Sequence, residues 1–427
     1  MKSYPAYKNS GVPWLGEIPE HWGIERLRKF CFQVKDKNSA LSTSRALQFR
    51  YGEIIEKPNN DDTDSDYLKT ISDYTLIHPN NIVINGLNLN YDFVTKRVAI
   101  SNMEGAMTSA YIALGVNDNI IPKYLSYLLK GLDERKMFNG MGKGIRITLT
   151  FKILSQLCIS SPPLSEQAAI ASYLDRKCGE IDEMVRRRQA IIERLRELKQ
   201  ALIAKAVTKG LHPDVPMKDS GIPWLGEIPE HWKIERLKQF CFQIKDRNSD
   251  LYTSRALQFR YGEIIEKPNN DATNTDYLKT ISDYTLIRPN YIIINGLNLN
   301  YDFVTQRVAI SNMDGAMTSA YIAMGVHNNI IPRYLSYLLK SLDAKKMLNG
   351  MGKGIRITLT FKILSQLWIS SPPLPEQAAI VSYLDKKCAA IDELISRHGQ
   401  IVEKLRELKA STIAHVVTGK IDIRERA

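Results

Sequence analysis

Short stretches in the first third of the chain alternate between apolar and polar positions. Leu47, Phe49 and Tyr51 alternate with Gln48 and Arg50, which is the period of a half-buried strand. Ile82-Val83-Ile84 is followed by Asn85-Gly86, and the tolerance of both residues for positive φ predicts a hairpin turn there. Leu87 and Leu89 then alternate with Asn88 and Asn90 as the returning strand. From Pro122 to Met137 the period lengthens, and Leu125, Leu128, Leu129 and Leu132 share one face of an amphipathic helix. Gly140, Gly142 and Gly144 interrupt the pattern before Ile145-Arg146-Ile147-Thr148. Beyond Pro162-Pro163 there is no proline until after Lys209, and the only glycine before Gly210 is Gly179. Ile181, Met184, Ile191, Leu195, Leu198 and Leu202 recur there on three- and four-residue steps, interrupted at Arg188, which predicts a coiled-coil seam. A helix of about 40 residues would be roughly 60 Å long, longer than a core helix of one domain requires.

The whole pattern occurs twice. An offset of 210 residues carries Trp14 onto Trp224, Tyr51 onto Tyr261, Arg146 onto Arg356 and Gln167 onto Gln377, without a gap from about Ser10 to Thr208. So long a period makes each copy a domain-sized object and not a solenoid unit. The second seam runs through Ile391, Leu394, Ile401, Leu405 and Leu408, and His398 takes the place of Arg188, a polar residue that either fixes register or snorkels outward. Leu211-His-Pro-Asp-Val-Pro216 is a proline-bearing linker that stops the first helix. The expected class is α+β. It comprises mixed domains at 1–162 and 211–372, each followed by a long helix, at 163–210 and within 373–427. The two helices pair as an antiparallel coiled coil with pseudo-twofold symmetry.

Charge narrows the partner. The 427 residues carry a net charge of +12, which favours a polyanion without specifying a fold or a reaction. Five cysteines with no CxxC pair fit a reducing cytosol and offer no metal framework. Met1 to Ser10 lacks an apolar core, and no apolar run reaches membrane-spanning length, so a cytoplasmic protein without a membrane partner is expected.

Motifs that could carry catalysis fail on detail. Ser160-Ser-Pro-Pro-Leu164 is close to the Pro-Pro-aromatic loop of amino-methyltransferases, but Leu164 and Leu374 replace the ring that would stack on a flipped base. Gly140-Met-Gly-Lys-Gly144 is not a phosphate loop, because Lys143 is followed by Gly144 and not by Ser or Thr. Asp62, Asp64 and Asp66 have calcium-loop spacing, yet Tyr67 stands where glycine is needed, and the second copy has Ala272 and Asn274. His21 and His231, beside Trp22 and Trp232, are read as structural.

Base edges are read by forked donors and acceptors, Arg for guanine and Asn or Gln for adenine. Three stretches supply them in each copy. The first is Arg45, Gln48, Arg50 and Tyr51, with Arg255, Gln258, Arg260 and Tyr261. The second is Asn85, Asn88, Asn90 and Tyr91, with Asn295, Asn298, Asn300 and Tyr301. The third is Lys143, Arg146 and Thr148, with Lys353, Arg356 and Thr358, on a glycine-rich backbone able to approach phosphate. A solvated strand face is the plain alternative for any single residue, and packing is the alternative for Tyr51 and Tyr91. Identical readers related by a pseudo-twofold axis predict inverted half-sites, that is, a bipartite near-palindromic target with an unread spacer.

Gly-Glu-Ile-Pro-Glu-His-Trp and Ser-Pro-Pro-Leu-x-Glu-Gln-Ala-Ala-Ile, each present twice, resemble the specificity (S) subunit of type I restriction-modification systems over essentially the whole chain. Asn85 to Tyr111, ending Gly-Ala-Met-Thr-Ser-Ala-Tyr, resembles the centre of many such recognition domains. The resemblance implies a non-catalytic, double-stranded-DNA-binding subunit whose antiparallel helices separate two recognition domains. It also implies modification subunits that use S-adenosylmethionine and restriction subunits that use ATP and magnesium, with no cofactor in this chain. The competing expectation is a coiled-coil scaffold without sequence-specific DNA binding.

Overall fold

In a computed structural model of the chain, the described residues are 3–58, 64–89, 96–142, 147–268, 273–297, 299, 306–352 and 357–424. They form two compact units that do not follow the linear order. Unit 1 is Met1–Gln189 with Gln400–Ala427, and unit 2 is Ala190–Gly399.

Unit 1 begins with the hairpin of β1 (Tyr7–Asn9) and β2 (Glu17–Pro19). Then follow β3 (Gly23–Arg26), β4 (Cys31–Gln33), β5 (Ala46–Arg50), β6 (Glu53–Glu56) and helix α1 (Ser65–Ser72). Next come β7 (Thr75–Ile77), β8 (Ile82–Ile84), β9 (Val98–Ile100), β10 (Gly105–Met107) and β11 (Ile112–Val116). Helix α2 (Pro122–Glu134), the turn α3 (Phe151–Leu154), β12 (Cys158–Ser161) and the long α4 (Leu164–Lys209) complete the copy.

The central antiparallel sheet has the order β4-β11-β8-β9, and a second sheet has the order β6-β5-β10-β7. Strand alternation separates two cores. Ile82 and Ile84 of β8 face a large core with Leu125, Leu128, Leu129 and Leu132 of α2. Val83 between them faces Leu47, Ile54 and Met107 of the second sheet. Helix α2 is therefore the amphipathic helix the leucine spacing predicts, started by Pro122 at a position where no N–H is required. It stops at Glu134, three residues short of Met137.

Unit 2 repeats the order, with α5 (Thr275–Ser282), α6 (Pro332–Ala344), α7 (Phe361–Leu364) and α8 (Leu374–Val417). Its central sheet pairs Ile292–Ile294 with both Val308–Ile310 and Ile322–Val326. The acidic turn before α1 is an N-cap. Asp64 accepts the N–H of Asp66 at 2.9 Å, and Asn274 does the same for Asp276 at 2.9 Å. Asp and Asn cap equally well, which accounts for the exchange between copies.

Each long helix starts in one unit and ends in the other. Ile413, Val416 and Val417 of α8 belong to the large core of unit 1, and Ile203, Ala206 and Val207 of α4 to that of unit 2. In unit 1 the Lys409 ammonium meets the Asp182 carboxylate at 2.6 Å. In unit 2, Lys199 meets Asp392 at 2.6 Å. The predicted seam is only partly buried. Ile181 and Ile391 are covered, but Met184, Leu198, Leu394, Ile401 and Leu408 are exposed. The helix ends spend their apolar residues on the domain cores rather than on a continuous helix–helix stripe.

The repeated Pro-Pro-Leu-x-Glu-Gln segment is a fastener. Buried Gln167 accepts the N–H of Ile121 at 2.8 Å and donates to the Pro162 carbonyl at 2.9 Å, so it ties the start of α4 to the start of α2. Gln377 makes the same two bonds to Ile331 and Pro372. Glu166 accepts from the Tyr4 hydroxyl and pairs with His21 at 2.8 Å. Glu376, in a copy with no equivalent of Tyr4, takes the Trp232 indole N–H at 3.1 Å and pairs with His231 at 2.8 Å. The two histidines are thus structural partners of a buried helix start.

All five cysteines are free thiols, and burial pushes Cys31 up to about 12. Among the described residues no helix is long and apolar enough to cross a membrane, and no metal-ligating cluster occurs.

Candidate nucleic-acid interface

Strands β5 and β6 form a hairpin in which Arg50 pairs with Glu53. Its tip is Tyr51 at φ 50° and Gly52 at φ 80°. Two successive left-handed residues make the tight turn whose twist matches its strands, and glycine adopts it without strain. Tyr51 leaves the strand and stands 76 % exposed, so it is not a packing residue. Arg50 lies 5.9 Å from its ring. Tyr261 and Arg260 repeat this, with Tyr261 78 % exposed.

Asn85-Gly86 does not close a hairpin. Strand β8 pairs with β11 and β9, and 85–89 is a loop. Its backbone leaves strand geometry at Asn88, where φ is 50°. The expectation that Asn88 and Asn90 share a strand face fails at Asn88, and Asn90 lies outside the described residues. The loop folds onto the segment after the glycine-rich stretch. Leu89 donates to the Ile147 carbonyl at 2.9 Å, and Leu149 donates to the Gly86 carbonyl at 2.8 Å. The approach is so close that a Cβ on Gly86 would sit 2.7 Å from the Leu149 oxygen, which only glycine permits.

The hairpin tip reaches the same place. A Cβ on Gly52 would lie 3.2 Å from the Lys96 Cβ, and Lys96 directly precedes Arg97, whose backbone brackets Asn85. The structure therefore brings three stretches distant in sequence onto one surface: the tip at Tyr51–Gly52, the loop at Asn85–Leu89, and 147–149 with Thr148. Unit 2 reproduces it. Leu299 bonds Ile357 at 3.0 Å, Leu359 bonds Gly296 at 2.8 Å, and Gly262 abuts Gln306. Asn295 and Thr358 fall in that second surface.

Arg45 does not join this surface. It lies at the far end of β5 from the tip, roughly 17 Å along the strand, and its guanidinium pairs with Glu56 at 3.3 Å. Arg255 pairs likewise with Glu266 at 3.1 Å. Gln48 and Gln258 are half-buried in mid-strand. Asn90, Tyr91, Lys143, Arg146, Asn298, Asn300, Tyr301, Lys353 and Arg356 lie outside the described residues.

Two residues per copy that the sequence patterns passed over hold the loop. Arg97 is 3 % exposed and donates to the carbonyls of Asn85 at 2.8 Å, Leu87 at 2.9 Å and Asn88 at 3.4 Å. Asp133, buried near the end of α2, accepts the N–H groups of Lys96 at 2.7 Å and Arg97 at 2.6 Å. Burial pushes its carboxyl up to about 6, against the opposing pull of those two N–H donors. Arg97 offered a faint signal, a charge directly before Val-Ala-Ile, whereas Asp133 opens the charged run Asp133-Glu134-Arg135-Lys136 and stood out in no way.

The geometry offers an exposed tyrosine hydroxyl and an exposed guanidinium on a braced backbone in each unit, and the exposed Asn88 amide in unit 1. A family model described as the type I restriction modification DNA specificity domain matches residues 20–194 and again 229–403. The chain belongs to that family. Both specificity domains span a recognition domain and much of the helix that follows it. The MjaVIII type I restriction enzyme specificity subunit of Methanocaldococcus jannaschii is 26 % identical over 95 % of this chain and 94 % of its own length. The Escherichia coli EcoBI specificity subunit is 23 % identical over 65 % of this chain and 61 % of its own. A solved chain from work on complex assembly and conformational transition of the type I R-M system shares the fold, with a TM-score of 0.65 at 15 % identity. It covers 95 % of this chain and 99 % of that one. The competing scaffold reading gains no support from a family of DNA specificity domains.

Proposed function

We propose that this specificity protein reads double-stranded DNA with two equivalent surfaces, one in each unit. Each surface is built from the Tyr51 or Tyr261 hairpin tip, the loop of Asn85–Asn88 or its counterpart at 295–297, and the segment carrying Thr148 or Thr358. The observation that carries this is the convergence of three separate stretches, each duplicated, at one place in each copy. Exposed Asn88 supplies a forked amide suited to a base edge, Arg50 and Arg260 supply charge for phosphate, and the tyrosines supply rings at the rim.

Identical readers on pseudo-twofold-related domains select inverted half-sites, giving a bipartite, near-palindromic target. The antiparallel helix arrangement is supported by the two ion pairs, Asp182 with Lys409 and Asp392 with Lys199. Moving forward along one helix moves backward along the other. The chemistry belongs to partner subunits: modification subunits that use S-adenosylmethionine, and restriction subunits that use ATP and magnesium. This chain contributes recognition and assembly and needs no cofactor of its own.

The test is duplex binding by the full chain at graded salt with sequence-varied competitors. Affinity is expected to fall steeply with salt, because phosphate contacts release counterions. One duplex class should compete well above random DNA, and Asn88→Ala should narrow that margin. Binding indifferent to both salt and sequence would overturn the reading.

A further inference from the structure

The Asn85–Asn88 loop carries three carbonyls turned toward one buried guanidinium. Arg97 spans the carbonyls of Asn85, Leu87 and Asn88, and the Asn85 N–H returns to the Arg97 carbonyl at 2.8 Å. The Asn85 side chain folds on its own loop by accepting the Leu87 N–H at 3.2 Å. The Arg97 backbone is in turn held by Asp133, which also takes the N–H of Lys96 at a strained φ of 96°. A residue other than glycine keeps such a φ only where its surroundings over-determine it.

The second copy has the same chain of contacts. Arg307 donates to the carbonyls of Asn295 and Leu297, both at 2.8 Å. Asp343 accepts the N–H of Gln306 at 2.7 Å and of Arg307 at 2.6 Å, and the φ of Gln306 is 115°. Lys96 has become Gln306, yet the backbone geometry and the clasp persist. The clasp is a backbone device, then, independent of the side chain at that position.

We propose that Arg97 with Asp133, and Arg307 with Asp343, are positioning residues for base reading, each pair fixing the recognition loop of its own half-site and no other. This rests on the DNA-reading function proposed above. A lysine at 97 keeps the charge but cannot fork to three carbonyls. The loop would then lose its fixed backbone, and the exposed Asn88 its aim. Readout by a bidentate amide depends on that aim.

The test compares methylated sequences in cells carrying the complete system with the wild-type chain, R97K, R307K or D133A. With R97K, discrimination at one half of the motif is expected to fall about tenfold or more, while the other half stays as specific as in wild type. R307K should do the reverse, and D133A, which removes the acceptor of the Lys96 and Arg97 N–H groups, should weaken the same half as R97K. An intact motif in both halves would overturn the proposal, because the clasp would then not position the reader. Equal loss in both halves would overturn it too, because that is the mark of a folding or assembly defect. A wild-type chain giving no sequence motif would instead sink the DNA-reading function itself, a result distinguishable from either.

Discussion

Lys409, near the end of the second long helix, forms an ion pair at 2.6 Å with Asp182 of the first, inside the unit that holds the N-terminal domain. Farther along α8, buried Val417 accepts the Ser160 hydroxyl at 3.1 Å. Unit 1 is therefore incomplete without the end of α8. The end of α4 carries matching residues, with Lys199 for Lys409 and Ile203, Ala206 and Val207 for Ile413, Val416 and Val417. A fragment ending at Lys209 should accordingly dimerise, each copy lending its helix end to the other, and should bind the same DNA as the full chain. Sedimentation analysis checks this. A strictly monomeric folded fragment would contradict it.

Gln167 makes its two bonds while only 1 % exposed. Gln167→Leu fills nearly the same space but leaves the Ile121 N–H without its acceptor. The buried Pro162 carbonyl loses its donor as well, and a buried polar group left without its partner costs about 1–3 kcal/mol. Denaturant melts of the full chain should show a loss of that size in the transition of unit 1. An unchanged midpoint would mean that the motif does not fasten α4 to α2.

Asp133 gives a pH dependence of definite sign. Burial raises its carboxyl from 3.8 to about 6, so the folded protein favours the protonated form. The stabilisation this provides is complete below about pH 3.8 and disappears as the pH rises through about 6. The interval corresponds to roughly 3 kcal/mol. Asp133→Asn removes the titration, so the stability difference between wild type and variant should shift in the variant's favour between pH 4 and pH 7. Chemical denaturation at both values reads it. Parallel pH profiles would show that the carboxyl does not titrate in this range.

The elements legible from sequence were those that local periodicity determines. The leucine spacing of 125–132 gave α2, the proline-free stretch after Pro163 gave α4, and the duplication gave the second half of the molecule. What escaped depends on distant partners. Asn85-Gly86 has the composition of a hairpin turn, but Arg97 and the 147–149 segment claim the backbone groups that a returning strand would use. Tyr51 fits the apolar alternation of β5, yet the left-handed turn carries it into solvent. Met184, Leu198 and Leu408 keep seam spacing without burial, because helix ends such as Val207 and Val417 are drawn into domain cores. Of the proposed reading surface, the sequence supplied the three stretches, and only the fold shows that they meet and that Arg45 stands apart.

The central claim is that two equivalent surfaces read the two halves of one target. Its most direct test is single-molecule mapping of methylated bases in a host carrying the complete system with this chain. The account predicts one bipartite motif whose halves are inverted repeats, or nearly so, across a fixed unread spacer. Two unrelated half-sites, or methylation without a motif, would contradict it.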